Sequence, residues 1–491
     1  MMRRFLPAFI VLLAALAPAS AQDYSVSYDK PYSVTCNNFW LHPVQLPEIG
    51  HLVTKPSDGS GNSRWSVGCE CLDRDMGDFG EYRKYLSELG VGYARIQSGW
   101  AKTERKKGKY DFGWLDEIVD GLHEEGLIPW MCLCYGNHLY SDTGKSLNAA
   151  LITDGPVMEA WLCYVKAVVK RYRGKVVMYE VWNEPDGNRD NTPENYAVLL
   201  MRTAEAIREC DPQAKICGFG MTGAASMKRE WIGRTLDVLR DNGKLGLLDV
   251  ISYHLYYHNP DLTCDDVREL RALVDAYDPR IALFQGESGC PSQLEVGHAM
   301  NHHEWTEYSQ VKWDLRRMAN DFAMDVKGNI FTFIDLRYEN MLQSFGLLRM
   351  NLLGKFLYKR PSFYGVKHLA GILTPDVHPV QVGIEYSSGR KISSLGIADG
   401  DGRVVGVMLW YSDRIPGDSL ERTPETVTVH HPLFEGPAVY VEPVTGKVFR
   451  LQDTAVLRGA TQPSHSTYTG LPLWDCPVLI MDGSKLNYSK D

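Results

Sequence analysis

The sequence lacks the features that carry a chain into a membrane or onto a nucleic acid. After its first two dozen residues, no stretch approaches the roughly 20 apolar residues that a membrane-spanning helix needs. Its 61 acidic residues outnumber 52 lysines and arginines, which gives a formal net charge of −9. The densest basic run is the short Arg105-Lys106-Lys107. We therefore expect a soluble chain with neither a membrane nor a nucleic acid as its partner.

An evident metal site is also missing. None of the 11 cysteines follows the C-x-x-C spacing that zinc sites prefer. Those at positions 69 and 71, and at 132 and 134, alternate within apolar runs and are expected to be buried core thiols. Disulfides remain open in an exported chain, although the odd count leaves at least one thiol unpaired. Two imidazoles among His298, His302 and His303 could lie one helical turn apart, but no third ligand accompanies them. We predict no metal and no cofactor.

The first residues read MMRRFLPAFIVLLAALAPASAQ. Two arginines, an apolar run of roughly a dozen residues and the small residues Ala19-Ser20-Ala21 are typical of a cleavable secretory signal. We predict a signal peptide over residues 1–21 and a secreted or periplasmic location.

Short apolar runs then alternate with helix-period segments. The predicted strands cover residues 65–71, 91–97, 127–135, 176–182, 214–218, 247–253, 281–285 and 329–334. Seven helical patterns separate them, and a closing helix follows near residues 362–372. This alternation predicts a (β/α)₈ TIM barrel over residues 63–372. A doubly wound open sheet is the alternative, but we expect neither a G-x-G-x-x-G sequence nor a P-loop to follow any of the strands.

The pattern changes after about residue 372. Period-2 runs at 404–410, 426–430, 438–441 and 478–481 are broken by Gly, Pro and Asp. They predict a C-terminal antiparallel β-sandwich over residues 373–491. Residues 22–62 form an N-terminal lead-in whose strand candidates could join this sandwich.

Two predicted barrel strands end on a glutamate. The fourth runs into Asn183-Glu184-Pro185-Asp186-Gly187, and the seventh ends at Gly286-Glu287. Pro185 disfavours a helical conformation at Glu184 and should hold this carboxylate at the rim. A plain surface turn would use the same residue types, but strands four and seven face each other across the barrel mouth. Two facing carboxylates suit retaining hydrolysis of a glycosidic bond, which needs an acid and a nucleophile roughly 5 to 5.5 Å apart.

The WNEP motif and the lone glutamate that closes strand seven resemble clan A, the large (β/α)₈ clan of retaining glycoside hydrolases. A barrel followed by a β-sandwich looks most like family 39, the β-xylosidase and α-L-iduronidase family. The resemblance implies that Glu184 is the acid/base, that Glu287 is the nucleophile and that Asn183 binds the hydroxyl next to the anomeric carbon. The clan's strand-two arginine and its His-x-Tyr near the end of strand six match Arg95 in GYARIQ and His254-Leu255-Tyr256 in VISYHLYY.

Two questions stay open at this stage. Arg95 could serve the reaction or form a structural ion pair with Glu180, because side-chain layers in such a barrel come from alternate strands. The clan's tryptophan after strand eight is replaced by FTFIDLRYENM, so that Phe333, Arg337 or Tyr338 would have to form the floor of the sugar site.

Loop residues suited to sugars follow strands two and three. Trp100 and Asn137 are predicted to bind substrate, because aromatic faces stack on sugars and amides bridge hydroxyls, but each could equally serve loop packing. Glu70, at the end of strand one, could bind a hydroxyl.

We therefore predict a retaining glycosidase that acts on a polysaccharide- or oligosaccharide-derived carbohydrate. The alternatives are a noncatalytic glycan-binding barrel and a metal-dependent hydrolase that uses the His298 region.

Overall fold

The computed structural model describes residues 34–41, 44–141, 150–339, 341–431, 434–451, 454–457 and 465–490. The predicted signal peptide lies outside these residues. None of the helices in the described ranges is both long and apolar enough to cross a membrane. A helix, α1 (Val34–Leu41), and a strand, β1 (Glu48–Leu52), precede the barrel.

Eight parallel strands then close into a barrel. They are β2 (Trp65–Gly68), β3 (Tyr93–Gln97), β4 (Ile128–Leu133), β5 (Met178–Val181), β6 (Lys215–Met221), β7 (Val250–His254), β8 (Ala282–Ser288) and β9 (Lys327–Ile330). Each strand pairs with the next, and β9 returns to pair with β2. Every predicted strand overlaps an observed one, and the predicted TIM barrel is confirmed.

Helices cover the outside of the barrel. They are α2 (Phe79–Tyr82), α3 (Trp100–Thr103), α4 (Gly113–Glu124), α5 (Gly155–Tyr172), α6 (Pro193–Cys210), α7 (Ala225–Asp241), α8 (Cys264–Asp275), α9 (Glu307–Ala323) and α10 (Pro361–Ile372). In α4 the buried residues Leu115, Ile118, Val119 and Leu122 recur at helical spacing, so one apolar stripe faces the strands. Thr192 caps α6 by accepting from the Asn195 N–H, and Pro193 begins the helix.

One G-x-G-x-x-G sequence does occur, from Gly218 to Gly223. Its first four residues lie inside β6 rather than in a turn between a strand and a helix. Gly220 has φ +50°, and a β-carbon there would lie 3.1 Å from the Glu180 carboxylate. These glycines therefore serve close packing inside a closed barrel and do not form a dinucleotide-binding turn.

Two hairpins lie between β9 and α10, and antiparallel strands follow α10. The hairpin strands are β10 (Leu336–Arg337), β11 (Leu342–Gln343), β12 (Leu348–Met350) and β13 (Phe356–Lys359). The later strands are β14 (His378–Val380), β15 (Gly383–Tyr386), β16 (Ile392–Ala398), β17 (Val404–Tyr411), β18 (Thr423–His430), β19 (Ala438–Glu442), β20 (Lys447–Arg450), β21 (Thr454–Leu457), β22 (His465–Leu473), β23 (Val478–Asp482) and β24 (Tyr488–Ser489).

These strands form two antiparallel sheets, in the orders β14-β16-β17-β23-β19-β20-β1-β24 and β15-β18-β22-β21. The predicted C-terminal β-sandwich is thereby confirmed. The lead-in strand β1 lies in the larger sheet, where it pairs with β20 and β24.

The sandwich packs against α9. Every residue from Ser309 to Phe322 in this helix is buried, because the barrel covers one side and the sandwich covers the other. Lys312 Nζ lies 2.7 Å from the Asp475 carboxylate and donates to the Gly417 and Ser419 carbonyls. Trp410 Nε1 donates to Asp261 across the same interface at 3.0 Å.

Candidate active site

A cavity of about 750 Å³ opens where the barrel strands end. Its lining includes Asn183, Glu184, His254, Tyr256 and Glu287. These five are among the residues that the motifs predicted, and they come from strands far apart in the chain. The carboxyl-end face of a (β/α)₈ barrel is also where such folds carry their chemistry.

Glu184 stands at a sharp turn directly after β5. Its backbone is left-handed, with φ 48° and ψ 57°, and Pro185 begins the next short turn. The Glu184 N–H donates to the Gly220 carbonyl at 2.9 Å, which ties the turn to β6. The side chain is 29% exposed, and its Oε1 lies 3.0 Å from Nδ1 of His254. The turn therefore presents this carboxyl group to the cavity, where it can exchange a proton with a bound molecule.

Glu287 lies on β8 itself and is held more tightly. Its side chain is 13% exposed, Oε2 lies 2.8 Å from an Arg95 nitrogen, and Oε1 accepts from the Tyr256 hydroxyl at 2.8 Å. Burial by itself raises the pKa of Glu287, but the positive charges of His254 and Arg95 and the tyrosine hydrogen bond lower the pKa below its usual value. Glu287 is therefore ionised and fixed in place.

The two carboxylates approach each other closely. One carboxylate oxygen of Glu184, one of Glu287 and a ring nitrogen of His254 all lie within 4.8 Å of one another. Burial lowers the pKa of His254, but the negative charge of Glu287 and the hydrogen bond with Glu184 outweigh burial and raise it. The two acids therefore favour the protonated form of His254.

Arg95 is fully buried below the cavity. It forms both the ion pair with Glu180 and a contact with Glu287, which were the two roles that the sequence left open. Its guanidinium donates to Glu180 Oε2 at 3.0 and 2.5 Å and to Glu287 Oε2 at 2.8 Å. The guanidinium also donates a hydrogen bond to Asn183 Oδ1 at 2.7 Å. Arg95 is thus a structural partner of Glu180 and a positioning residue for Glu287 and Asn183.

Glu70 contributes a third acid to the cavity. It is buried, and its Oε1 lies 3.4 Å from an Arg95 nitrogen. Burial and the nearby charge of Glu287 raise the pKa of Glu70 to about 7, although Arg95 opposes this shift. Such a carboxyl group can donate or accept a hydrogen bond with a sugar hydroxyl near neutral pH.

Sequence reasoning missed Arg74. Its guanidinium lies 5.2 Å from the centre of the Tyr135 ring, and one nitrogen donates to Gln97 Oε1 at 2.6 Å. All three side chains line the cavity. The surrounding sequence, LDRDM, reads only as a polar turn, so no pattern in the chain marks this arginine.

The structure does not bring Trp100 and Asn137 to the cavity. Trp100 is buried, donates to Glu104 Oε2 at 2.6 Å and stacks on Tyr140 with ring centroids 5.2 Å apart. Asn137 donates to the Glu104 carbonyl at 2.9 Å and accepts from the Leu139 N–H. Both side chains therefore take the loop-packing alternative and do not contribute to the lining of this cavity as predicted.

The aromatic residues at the floor of the predicted sugar site also differ from expectation. Phe333 is buried against Tyr82, with ring centroids 5.6 Å apart, and Arg337 donates to the Asp75 carbonyl. Of the three predicted substitutes only Tyr338 lines the cavity, where Phe331 and Phe345 accompany it. These two phenylalanines pack edge-on against Tyr256.

Two of the histidines that raised the question of a metal contact aromatic rings, and one of them, His298, lines the cavity. The His298 ring lies against Tyr338, and His303 packs on Trp305. The thiols at positions 69, 71, 132 and 134 are buried, as predicted. Within the described ranges, the group of side chains spaced to ligate a metal is Glu184, His254 and Glu287. The Arg95 guanidinium already supplies a positive charge 2.8 Å from Glu287, which disfavours a second cation there.

A closed (β/α)₈ barrel with carboxylates at the ends of its fourth and seventh strands is an arrangement suited to glycosidic-bond hydrolysis. Residues 65–272 match the sequence profile of glycosyl hydrolases family 39. The resemblance inferred from the motifs is confirmed over these residues of the barrel.

Solved structures share this fold. A family 39 glycoside hydrolase from the gut symbiont Bacteroides cellulosilyticus WH2 superposes with a TM-score of 0.65, at 16% identity, over 87% of this chain and 82% of that chain. A monomeric beta-xylosidase from Caulobacter crescentus CB15 gives 0.55, at 16% identity, over 88% and 97%. An alpha-L-arabinofuranosidase from Thermotoga maritima gives 0.54, at 11% identity, over 88% and 97%.

A curated relative matches over a short stretch only. The 43 matching residues are 42% identical to a beta-galactosidase of Arthrobacter sp and make up 9% of this chain. The match spans 6% of the length of that relative.

Proposed function

We propose that the protein is a retaining glycoside hydrolase, which cleaves O-glycosidic bonds of a polysaccharide- or oligosaccharide-derived substrate through a covalent glycosyl-enzyme intermediate. The observation that carries the proposal is the approach of Glu184 and Glu287, whose carboxylate oxygens lie within 4.8 Å of each other. Retaining enzymes hold their two carboxyl groups about 5 to 5.5 Å apart, whereas inverting enzymes leave about 6.5 to 9.5 Å for a water molecule.

In the first step Glu287 attacks the anomeric carbon. A bond forms between that carbon and a Glu287 oxygen, while the bond to the leaving oxygen breaks and Glu184 transfers its proton to that oxygen. Arg95 and Tyr256 keep Glu287 anionic and aimed. The more exposed Glu184 is free to meet the leaving group.

In the second step water replaces the leaving group. Glu184, now ionised, takes a proton from the water as the oxygen attacks the anomeric carbon and releases Glu287. Asn183 supports both steps, because Arg95 holds its Oδ1 and so directs the amide nitrogen to donate to a sugar hydroxyl.

Trapping the intermediate tests the proposal. An activated 2-deoxy-2-fluoro glycoside should leave a glycosyl adduct on the peptide that contains Glu287, detected by mass spectrometry after digestion. A panel of nitrophenyl glycosides should be assayed before the trapping experiment. It should include xylosides, arabinofuranosides and galactosides, because similar proteins carry those activities in their names. Tight glycan binding without hydrolysis or adduct would instead favour the noncatalytic alternative.

We further propose that the chain is exported to the periplasm or the medium. The arginines, the apolar run and Ala19-Ser20-Ala21 support this location. Expression of the full-length gene should yield an exported protein whose mass corresponds to cleavage after Ala21. A cytoplasmic product that keeps its first 21 residues would refute the location alone.

A further inference from the structure

A second cavity lies at the opposite end of the barrel, where the strands begin. It measures about 880 Å³ and runs between the first residues of several strands and α8. Trp130 and Phe284 form an aromatic floor with ring centroids 4.8 Å apart, and Met178 lies beside them. Val177, 39% exposed, extends this apolar surface to the rim. We call this cavity the amino-end groove.

Two lysines face the groove without a counter-charge. Lys215 begins β6 and Lys327 begins β9, and both line the cavity. Among the residues that the structure describes, neither ammonium group has a carboxylate within ion-pair distance. Lys327 Nζ lies 5.3 Å from the centre of the Tyr93 ring. Burial lowers the pKa of Lys327, and the positive charges of Lys215 and Arg64 lower it further.

The other charges around the groove are already paired. Arg271 lies 2.7 Å from the Asp275 carboxylate, and Arg268 donates to Asp265 at 2.6 Å. The Asp325 carboxylate lies 2.5 Å from Arg64. The lysine pair is therefore an excess of positive charge above an apolar floor, and like charges held together are unfavourable until an anion joins them.

We propose that the amino-end groove binds a small organic anion with a flat apolar body, such as an aromatic carboxylate. The ring would cover Trp130 and Phe284, and the carboxylate would lie between Lys215 and Lys327. Aromatic stacking on the floor and charge pairing with the lysines would act together in such a site. The groove is also shaped in advance, since the Tyr93 hydroxyl donates to the Gly61 carbonyl at 2.6 Å and fixes the adjacent loop.

The site is independent of the proposed glycosidase activity. It lies at the end of the barrel opposite to Glu184 and Glu287, and its ligand is not a sugar. Its test therefore measures binding and needs no turnover.

The experiment titrates the full chain with 2-naphthoate and with the neutral amide of the same acid, by calorimetry. We expect the acid to bind about tenfold or more tightly than the amide, since only the acid pairs with the lysines. The double variant Lys215→Gln/Lys327→Gln should lose that preference. A matched control, Lys170→Gln/Lys391→Gln, removes two exposed lysines outside the groove and should keep it.

A third variant tests the position of the anion. Val177→Asp places a fixed carboxylate at the half-exposed rim, and we expect it to weaken naphthoate binding at least as much as the double variant does. Equal binding of acid and amide, binding that survives both changes, or no binding at millimolar naphthoate would each overturn the proposal. All variants should fold as the parent does by circular dichroism, because every changed side chain is at least partly exposed.

Discussion

Glu184 and Glu287 end two strands of one barrel, yet their surroundings differ. Glu184 stands in a strained turn, is 29% exposed and contacts His254. Glu287 lies on a strand, is 13% exposed and is held by Arg95 and Tyr256. The comparison shows how surroundings give two identical side chains different roles. Positive charge and a hydroxyl donor keep Glu287 ionised, whereas solvent access lets Glu184 exchange a proton.

The largest effect should come from removing the nucleophile. Glu287→Ala takes away the group proposed to bond to the anomeric carbon, and we expect turnover of an activated aryl glycoside to fall about 10³-fold or more. The measurement is steady-state release of nitrophenol. A Glu287→Ala enzyme with undiminished turnover would contradict the assignment.

Removal of the proposed acid/base should have an effect of similar size. This effect should be larger for substrates whose leaving group needs a proton. We expect Glu184→Ala to lose about 10³-fold in turnover, because the intermediate then lacks a base to activate water. Azide needs no base, so it should restore turnover and give a glycosyl azide of retained configuration. The matched control is Asp186→Asn, on the same turn, whose carboxylate contacts Thr222 and Lys228. An equal loss in this control would show that the turn, rather than the acid, is responsible.

Arg95 contacts Glu287 and also Asn183, the neighbour of Glu184. Its replacement should have a large effect on the free energy of unfolding. Arg95→Met leaves Glu180 buried without its partner, which typically costs about 3 to 5 kcal/mol. We expect this loss in the free energy of unfolding, measured by denaturant titration. Arg95→Met/Glu180→Gln should recover a large part of it, because the orphaned charge is gone. Equal stability of the single and double variants would argue against the ion pair.

Replacing Tyr256 should have the smallest effect, and this effect should appear in the pH dependence of activity. Its hydroxyl helps to lower the pKa of Glu287, so Tyr256→Phe raises that pKa. Since Glu287 must be ionised to attack, activity is lost as the pH falls through its pKa, and the acid limb of kcat/KM should move to higher pH by about 0.5 to 1 unit.

The control is Tyr277→Phe, which removes a comparable hydroxyl bonded to Asp237 at 2.9 Å on the outside of the barrel. Its profile should match that of the parent. An unmoved acid limb in Tyr256→Phe would separate Tyr256 from the ionisation of Glu287.

The sequence predicted what depends on strand order. Eight apolar runs predicted the barrel, and a residue that follows a strand must emerge at its carboxyl end. Glu184 and Glu287 could therefore be grouped from the sequence, and the resemblance to the family added Asn183, Arg95 and His254. Neither the spacing nor the motifs could show that Arg95 contacts Glu180 and Glu287 together, because both contacts depend on rotamers inside the barrel.

Loop residues could not be predicted in the same way. Trp100 opens the short helix α3, and contacts with Tyr140, Trp161 and Tyr164 turn it into the core. Those partners are remote in sequence, so the direction of this side chain is a tertiary outcome. Arg74 and the lysines of the amino-end groove were missed for the same reason.

The central claim is that two acids act on one anomeric carbon from a short separation. Its most direct test follows the configuration of the first product by proton NMR during hydrolysis of a nitrophenyl glycoside that the panel identifies as a substrate. We expect the newly formed sugar to appear first with the anomeric configuration of the substrate and only later to mutarotate. A first product of opposite configuration would contradict the account.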